Sequence, residues 1–135
     1  MVRSNDSARR NARAGYTLIE LLVVVAFIAI LSAIAVNRFR NVSRQSIDAA
    51  IKSDIRNALT AEERYYSDEG SYVAFSVMSG GSTTEPEFKA SPGISITATI
   101  EGPGIKIVGT HAGLGDSWCL NTSGSDSEIV SGTDC

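Results

Sequence analysis

The stretch RRNARAGYTLIELLVVVAFIAILSAIAV, residues 9–36, decides the fold of this chain. Residues 21–36 form a run of 16 with no charge, in which Ser32 is the only hydroxyl. Extended back to Tyr16 the run has 21 residues, about 32 Å as a helix, which matches a hydrocarbon core of roughly 30 Å. It is apolar on every face, so it is not the one-sided helix of a globular core. In lipid the backbone must satisfy itself, and a helix does so despite the β-branched valines. One carboxylate, Glu20, stands at the entrance of the run, where an unpartnered charge is costly. Locally, TLIE (17–20) has the Thr-x-x-Glu spacing of a capping box, which satisfies free N–H groups at a helix start, and a first-turn carboxylate suits the helix dipole.

A removable secretory signal is the rival reading of the same residues. The arginines in front, the apolar stretch and SAIA (32–35) fit its three-part pattern, with cleavage after Ala35 freeing a soluble domain. Glu20 and the length of the run argue against it. Arg38, Arg40 and Arg44 beyond the run nearly balance the arginines before it, so charge bias alone does not orient the segment. These three residues read as a solvated anchor at the membrane edge. A nucleic-acid stripe would need more charge and interleaved aromatics, so nucleic acid is an unsupported partner.

From residue 16 to residue 69 there is no Gly or Pro, and Gly70 is a natural stop, which predicts one long helix. After Val36 its character changes. Ile47, Ile51, Ile55, Ala58, Leu59, Glu62, Tyr65 and Tyr66 recur at three- to four-residue steps, an apolar stripe interrupted by Glu62. Asp48 and Lys52, four apart, are expected to pair on the polar side. Residues 70–135 are rich in Gly, Ser and Thr. Residues 79–93 read as an acidic surface loop. ISITATI (94–100) alternates as a half-buried strand, EGPG (101–104) turns, and IKIVGT (105–110) returns. SWCLN (117–121) is a third strand and EIV (128–130) a weak fourth. The expected fold is α+β, a long helix laid on a small antiparallel sheet.

The whole chain has 135 residues and a formal charge of −3, with no general pull toward nucleic acid. Residues 1–15 carry Arg3, Arg9, Arg10 and Arg13 against Asp6, so without them the charge falls to −6. Cys119 and Cys135 would form one disulfide in an exported protein and stay reduced in a cytosolic one. Paired, they would close a loop of 17 residues, for which chain entropy suggests about 3 kcal/mol. His111, the single histidine, lies among glycines with no second ligand near in sequence, so neither a metal site nor a histidine-based catalytic centre is expected. Tyr65, Tyr66, Tyr72 and Trp118 read as packing residues. NVS (41–43) and NTS (121–123) match the glycosylation pattern but carry little weight alone.

The block GYTLIELLVVVAFIAILSAIAVNRF (15–39) resembles the start of the type IV pilins and their pseudopilin relatives. AEERYYSDEGSY (61–72) is similar to the helix end of short pilins, and the C-terminal part matches in layout only. The resemblance implies four parts: a prepilin leader (1–15), a hydrophobic half-helix for membrane and filament core (16–36), an amphipathic half-helix (37–69) and a β-sheet domain with a disulfide loop (70–135). It implies cleavage between Gly15 and Tyr16 by a prepilin peptidase and methyltransferase, then N-methylation of Tyr16. The leader would face the cytoplasm and the β domain the periplasm, where Cys119 and Cys135 should pair. The subunit would wait in the inner membrane and pass, through an assembly platform, into a homopolymeric surface pilus used for adhesion, twitching or DNA uptake. In that filament Glu20 of one copy would neutralise the Tyr16 amine of another. No catalysis or cofactor is implied. A pseudopilin or minor pilin of a secretion-like system is the alternative within the family. Ala29 and Asn37 stand where many members have glycine and proline, so a helix unmelted between them is expected.

Overall fold

The computed structural model describes residues 15–124 and 128–135. Residues 1–14, within the segment expected to be a leader, with Arg3, Arg9, Arg10, Arg13 and Asp6, lie outside the described residues. The chain divides into two compact units at Phe39 and Arg40.

Helix α1 spans Leu18–Glu69, 52 residues, and passes Ala29 and Asn37 without a break. It begins where Thr17 caps it and ends where Gly70 takes φ +73°, a left-handed conformation that glycine adopts without steric cost. The Gly70 N–H donates to the Tyr66 carbonyl at 2.8 Å and closes the last turn. Every residue from 15 to 46 is exposed in the single chain. Burial begins further along α1, with Ile51, Asp54, Ile55, Ala58, Ala61 and Glu62. The stripe read from the sequence therefore faces the core up to Glu62. Tyr66, expected within it, is 46% exposed.

The second unit carries the sheet. Strands β1 (Phe75–Val77), β4 (Ile94–Glu101), β5 (Gly104–His111), β6 (Ser117–Asn121) and β7 (Val130–Ser131) form one sheet in the order β1-β4-β5-β6-β7. All its pairings are antiparallel. Strands β2 (Ser82–Thr84) and β3 (Glu87–Lys89) make a separate hairpin across Glu85 and Pro86. That hairpin corrects the expected loop at 79–93, and β1 was not expected either. Both consist of three-residue strands, too short to display an alternating pattern. The weak strand at 128–130 is instead the pair Val130–Ser131, held against Trp118 and Cys119.

The core is largely isoleucine. Ile51 and Ile55 of α1 meet Ile94 and Ile96 of β4 and Ile105 and Ile107 of β5, all essentially inaccessible to solvent. Each such side chain contributes about 1.5–3 kcal/mol on burial. Val77, Phe88 and Leu120 complete the cluster with the alanines Ala58, Ala61, Ala90 and Ala98. At the centre of the contact β5 carries Gly109. A β-carbon there would stand 2.6 Å from Ile51 Cγ2 and 3.1 Å from Ile55 Cγ1. The absent side chain is what allows α1 to lie this close to the sheet.

Two polar features fix the register of α1 on the sheet. Buried Asp54 accepts from the Ser91 backbone N–H at 2.8 Å and from its hydroxyl at 3.0 Å. Trp118 donates its indole N–H to Asp48 at 3.0 Å, while Lys52 places its ammonium 3.6 Å from the Trp118 ring centroid. Asp48 and Lys52 thus grip Trp118 from one helical face. Among the described residues no ion pair joins them to each other, which corrects the expected pairing. An indole offers a donor to one and a π-face to the other, and both contacts are partly desolvated.

Candidate assembly site

The local structure around Glu20 is a complete capping box. Thr17 is the cap residue, and its carbonyl accepts the Leu21 N–H at 3.3 Å. The Glu20 N–H donates to Thr17 Oγ1 at 3.3 Å. Glu20 Oε2 accepts both the Thr17 N–H and the Thr17 hydroxyl, each at 3.0 Å. Two of the free N–H groups at the helix start, those of Thr17 and Glu20, are thereby satisfied, as the Thr-x-x-Glu spacing predicts. Oε1 makes no hydrogen bond among the described residues. The carboxylate is therefore anchored through Oε2 alone among the described residues. Tyr16, 91% exposed, directly precedes the cap. Its nitrogen belongs to a peptide bond in the uncut chain and becomes an ammonium only if the Gly15–Tyr16 bond is cleaved.

The surface next to this group is apolar throughout. Leu18, Ile19, Leu22, Phe27, Ile30, Leu31 and Ile34 are each at least 58% exposed. α1 is long and apolar enough to cross a membrane. A surface of this extent is stable against lipid or against other apolar helices, not against water.

The remaining site residues lie in the second unit. Cys119 and Cys135 form a disulfide, with Cα atoms 5.9 Å apart. It ties the chain end to β6, where Asn121 Nδ2 also donates to the Cys135 carbonyl and to Glu101 Oε2, each at 3.0 Å. His111 ends β5, and its Nδ1 accepts the Gly113 N–H at 3.1 Å. No cluster suited to a metal occurs among the described residues. Sequence reading missed Asp54 and left the role of Glu62 open. Glu62 is fully buried; its Oε2 accepts the Val73 N–H at 3.2 Å, and its Oε1 has no partner among the described residues. Burial pushes its carboxyl above the ordinary carboxylate range, and the Val73 hydrogen bond opposes this only in part. A polar residue breaking an apolar stripe was the visible signal for Glu62. Asp54 had none, because its partner is 37 residues away.

Comparison with known proteins places the similarity in the N-terminal part. The family model described as the prokaryotic N-terminal methylation motif matches residues 10–36. The type IV major pilin protein PilA of Myxococcus xanthus is 38% identical over 61 residues, 45% of this chain and 28% of that protein. The type IV wide pilus major component PilA4 of Thermus thermophilus is 37% identical over 65 residues, 48% of this chain and 49% of that protein. The chain thus spans half or less of the length of the curated relatives it matches. No solved structure matches it significantly.

Proposed function

We propose, on a methylation motif and pilin relatives that together support a type IV pilin, that this chain is a structural subunit of a pilus rather than an enzyme. It is inserted through the apolar half of α1, cut between Gly15 and Tyr16, methylated on Tyr16 and drawn into a filament of identical copies. The observation that carries this reading is the coincidence, within residues 10–36, of the matched motif with an exposed apolar surface and a half-engaged carboxylate.

The mechanism follows from solvation. Before assembly, lipid covers the apolar residues of α1 while the capping box holds Glu20 at the helix start. Bundling with other copies removes water from this region. A carboxylate and an ammonium there each lose several kcal/mol of solvation, and pairing offsets that loss only in good geometry. Glu20 Oε1 is the atom available to the Tyr16 ammonium of another copy. The pair selects one axial stagger among many that the uniformly apolar surface would allow. The membrane, the processing peptidase and an inner-membrane assembly platform are the partners of this route, and a cell-surface pilus is its end.

Mass spectrometry of the mature N-terminus tests the processing. N-methylated Tyr16 is expected, and a chain starting at Val36 would refute it. Glu20→Ala tests the pairing: membrane-inserted subunit at normal level with surface filaments lost. Filaments at wild-type abundance would remove Glu20 from assembly.

A further inference from the structure

Glu62 lies outside the assembly site, and its surroundings do not suit a structural carboxylate. It is fully inaccessible to solvent; among the described residues one oxygen has no partner, and its single hydrogen bond comes from Val73 in the connector between α1 and β1. A stabilising buried carboxylate has a cation or several donors, and among the described residues this one has a single donor and no cation. On α1 its neighbours one turn away are Ala58, Leu59, Tyr65 and Tyr66. Asp54, two turns back and about 12 Å along the axis, is occupied by Ser91. Glu63 and Arg64 are exposed, and Arg64 pairs with Glu87 at 3.7 Å. From the connector, Tyr72 stacks on Tyr66 with ring centroids 4.6 Å apart. The inward residues of the strands are Val77, Ile94, Ile96, Ala98, Ile105, Ile107 and Leu120, and Phe88 of the hairpin, none of them titratable. The second ion pair among the described residues, Lys106 with Glu101, does not involve Glu62.

We propose that Glu62 is a proton-operated latch on residues 70–74: neutral, it holds the connector against α1 through Val73; ionised, it releases the connector and Tyr72 with it. The protonated carboxyl still accepts the Val73 N–H and leaves no net charge in the core. The ionised form strengthens that one bond but places an unpaired charge in a dry apolar site, and one donor does not offset the lost hydration. Opening the connector admits water to Glu62 at the cost of the Val73 bond and the Tyr66–Tyr72 stack. The segment is suited to opening: it begins at Gly70, has no regular structure and is at most half-buried. This inference concerns the second unit alone and stands whether or not the chain forms a filament.

The direction of the pH effect follows from linkage. The closed state holds the proton to a higher pH than the open state, where Glu62 titrates near 4.5. Opening therefore grows by about tenfold per pH unit above that value until the raised closed-state pKa is passed, and then levels. The test is amide exchange at Val73 in the full chain in detergent, corrected for intrinsic exchange, from acid to neutral pH. Wild type should lose protection with that slope and then reach a plateau. Glu62→Gln, neutral at every pH and able to accept the same N–H, should be flat. Equal slopes in the two proteins would overturn the latch. A carbon-13 titration of the wild-type Glu62 carboxyl keeps the test decisive should the variant not fold. Ionisation above 4.5 in step with the loss of protection upholds the proposal, and ionisation at or below 4.5 ends it.

Discussion

At position 109 the chain omits a side chain where the strand pattern would admit any small apolar residue. Ile51, Ile55 and Ile96 occupy the space that a β-carbon would take. Gly109→Ala should therefore destabilise the protein although alanine is the better strand and helix residue, and overpacking of this kind costs about 1–3 kcal/mol. Denaturant unfolding of the full chain in detergent measures it. Restoring space with Ile96→Val, which removes the Cδ1 that would lie 3.1 Å from the added carbon, should recover part of the loss; a neutral single variant would mean that α1 does not bear on the sheet at this point. Position 109 was not legible in the sequence, because its meaning depends on which residues of α1 lie opposite, some 55 positions earlier. Thr17 and Glu20 were legible for the opposite reason: a capping box is complete within one turn, so spacing alone specifies it. Asp48 and Lys52 fall between. Their spacing was visible, but Trp118, which both engage, is 70 residues from Asp48.

The same contrast governs the elements. α1 was legible because a stretch without Gly or Pro, apolar first on all sides and then on one, has few alternatives. Strands β4, β5 and β6 were legible from alternation and from the Gly-Pro turn between the first two. The β2–β3 hairpin was not, because its residues are polar and its position comes from elsewhere. Phe88 anchors it in the core, and Asp54 fixes Ser91 just beyond it with two hydrogen bonds. Hydrogen bonds to a charged acceptor contribute about 1.5–3 kcal/mol each. Asp54→Ala should accordingly cost at least 2 kcal/mol on that scale and release the segment leading into β4. Asp54→Asn, which retains an acceptor, should lose less. Limited proteolysis between residues 79 and 93 reports the release directly. If cleavage there is unchanged in Asp54→Ala, the hairpin is held by Phe88 alone.

At the scale of the whole molecule, burial among the described residues is confined to one unit. No residue from 15 to 46 is buried, and every member of the core cluster comes from Ile51 onward. Stability thus rests on a different part of the sequence from the one to which assembly is proposed, and a change that abolishes one need not affect the other. Residues 40–135 contain the core, the seven strands found among the described residues, both register contacts and the disulfide. This fragment should fold in water without detergent and unfold in one cooperative transition. Its first residues, up to about residue 46, should fray, because they make no core contact and a short isolated helix is marginal. Reducing Cys119–Cys135 should lower its stability by about 3 kcal/mol, the value for a loop of this size, with exchange rising first in β7 and the chain end. The checks are gel filtration, near-ultraviolet circular dichroism and thermal unfolding with and without reductant. A fragment that aggregates or lacks fixed aromatic packing would mean that the apolar half of α1 supports the fold as well as its assembly. The division of labour on which the Glu20 and Gly109 experiments depend would then be lost.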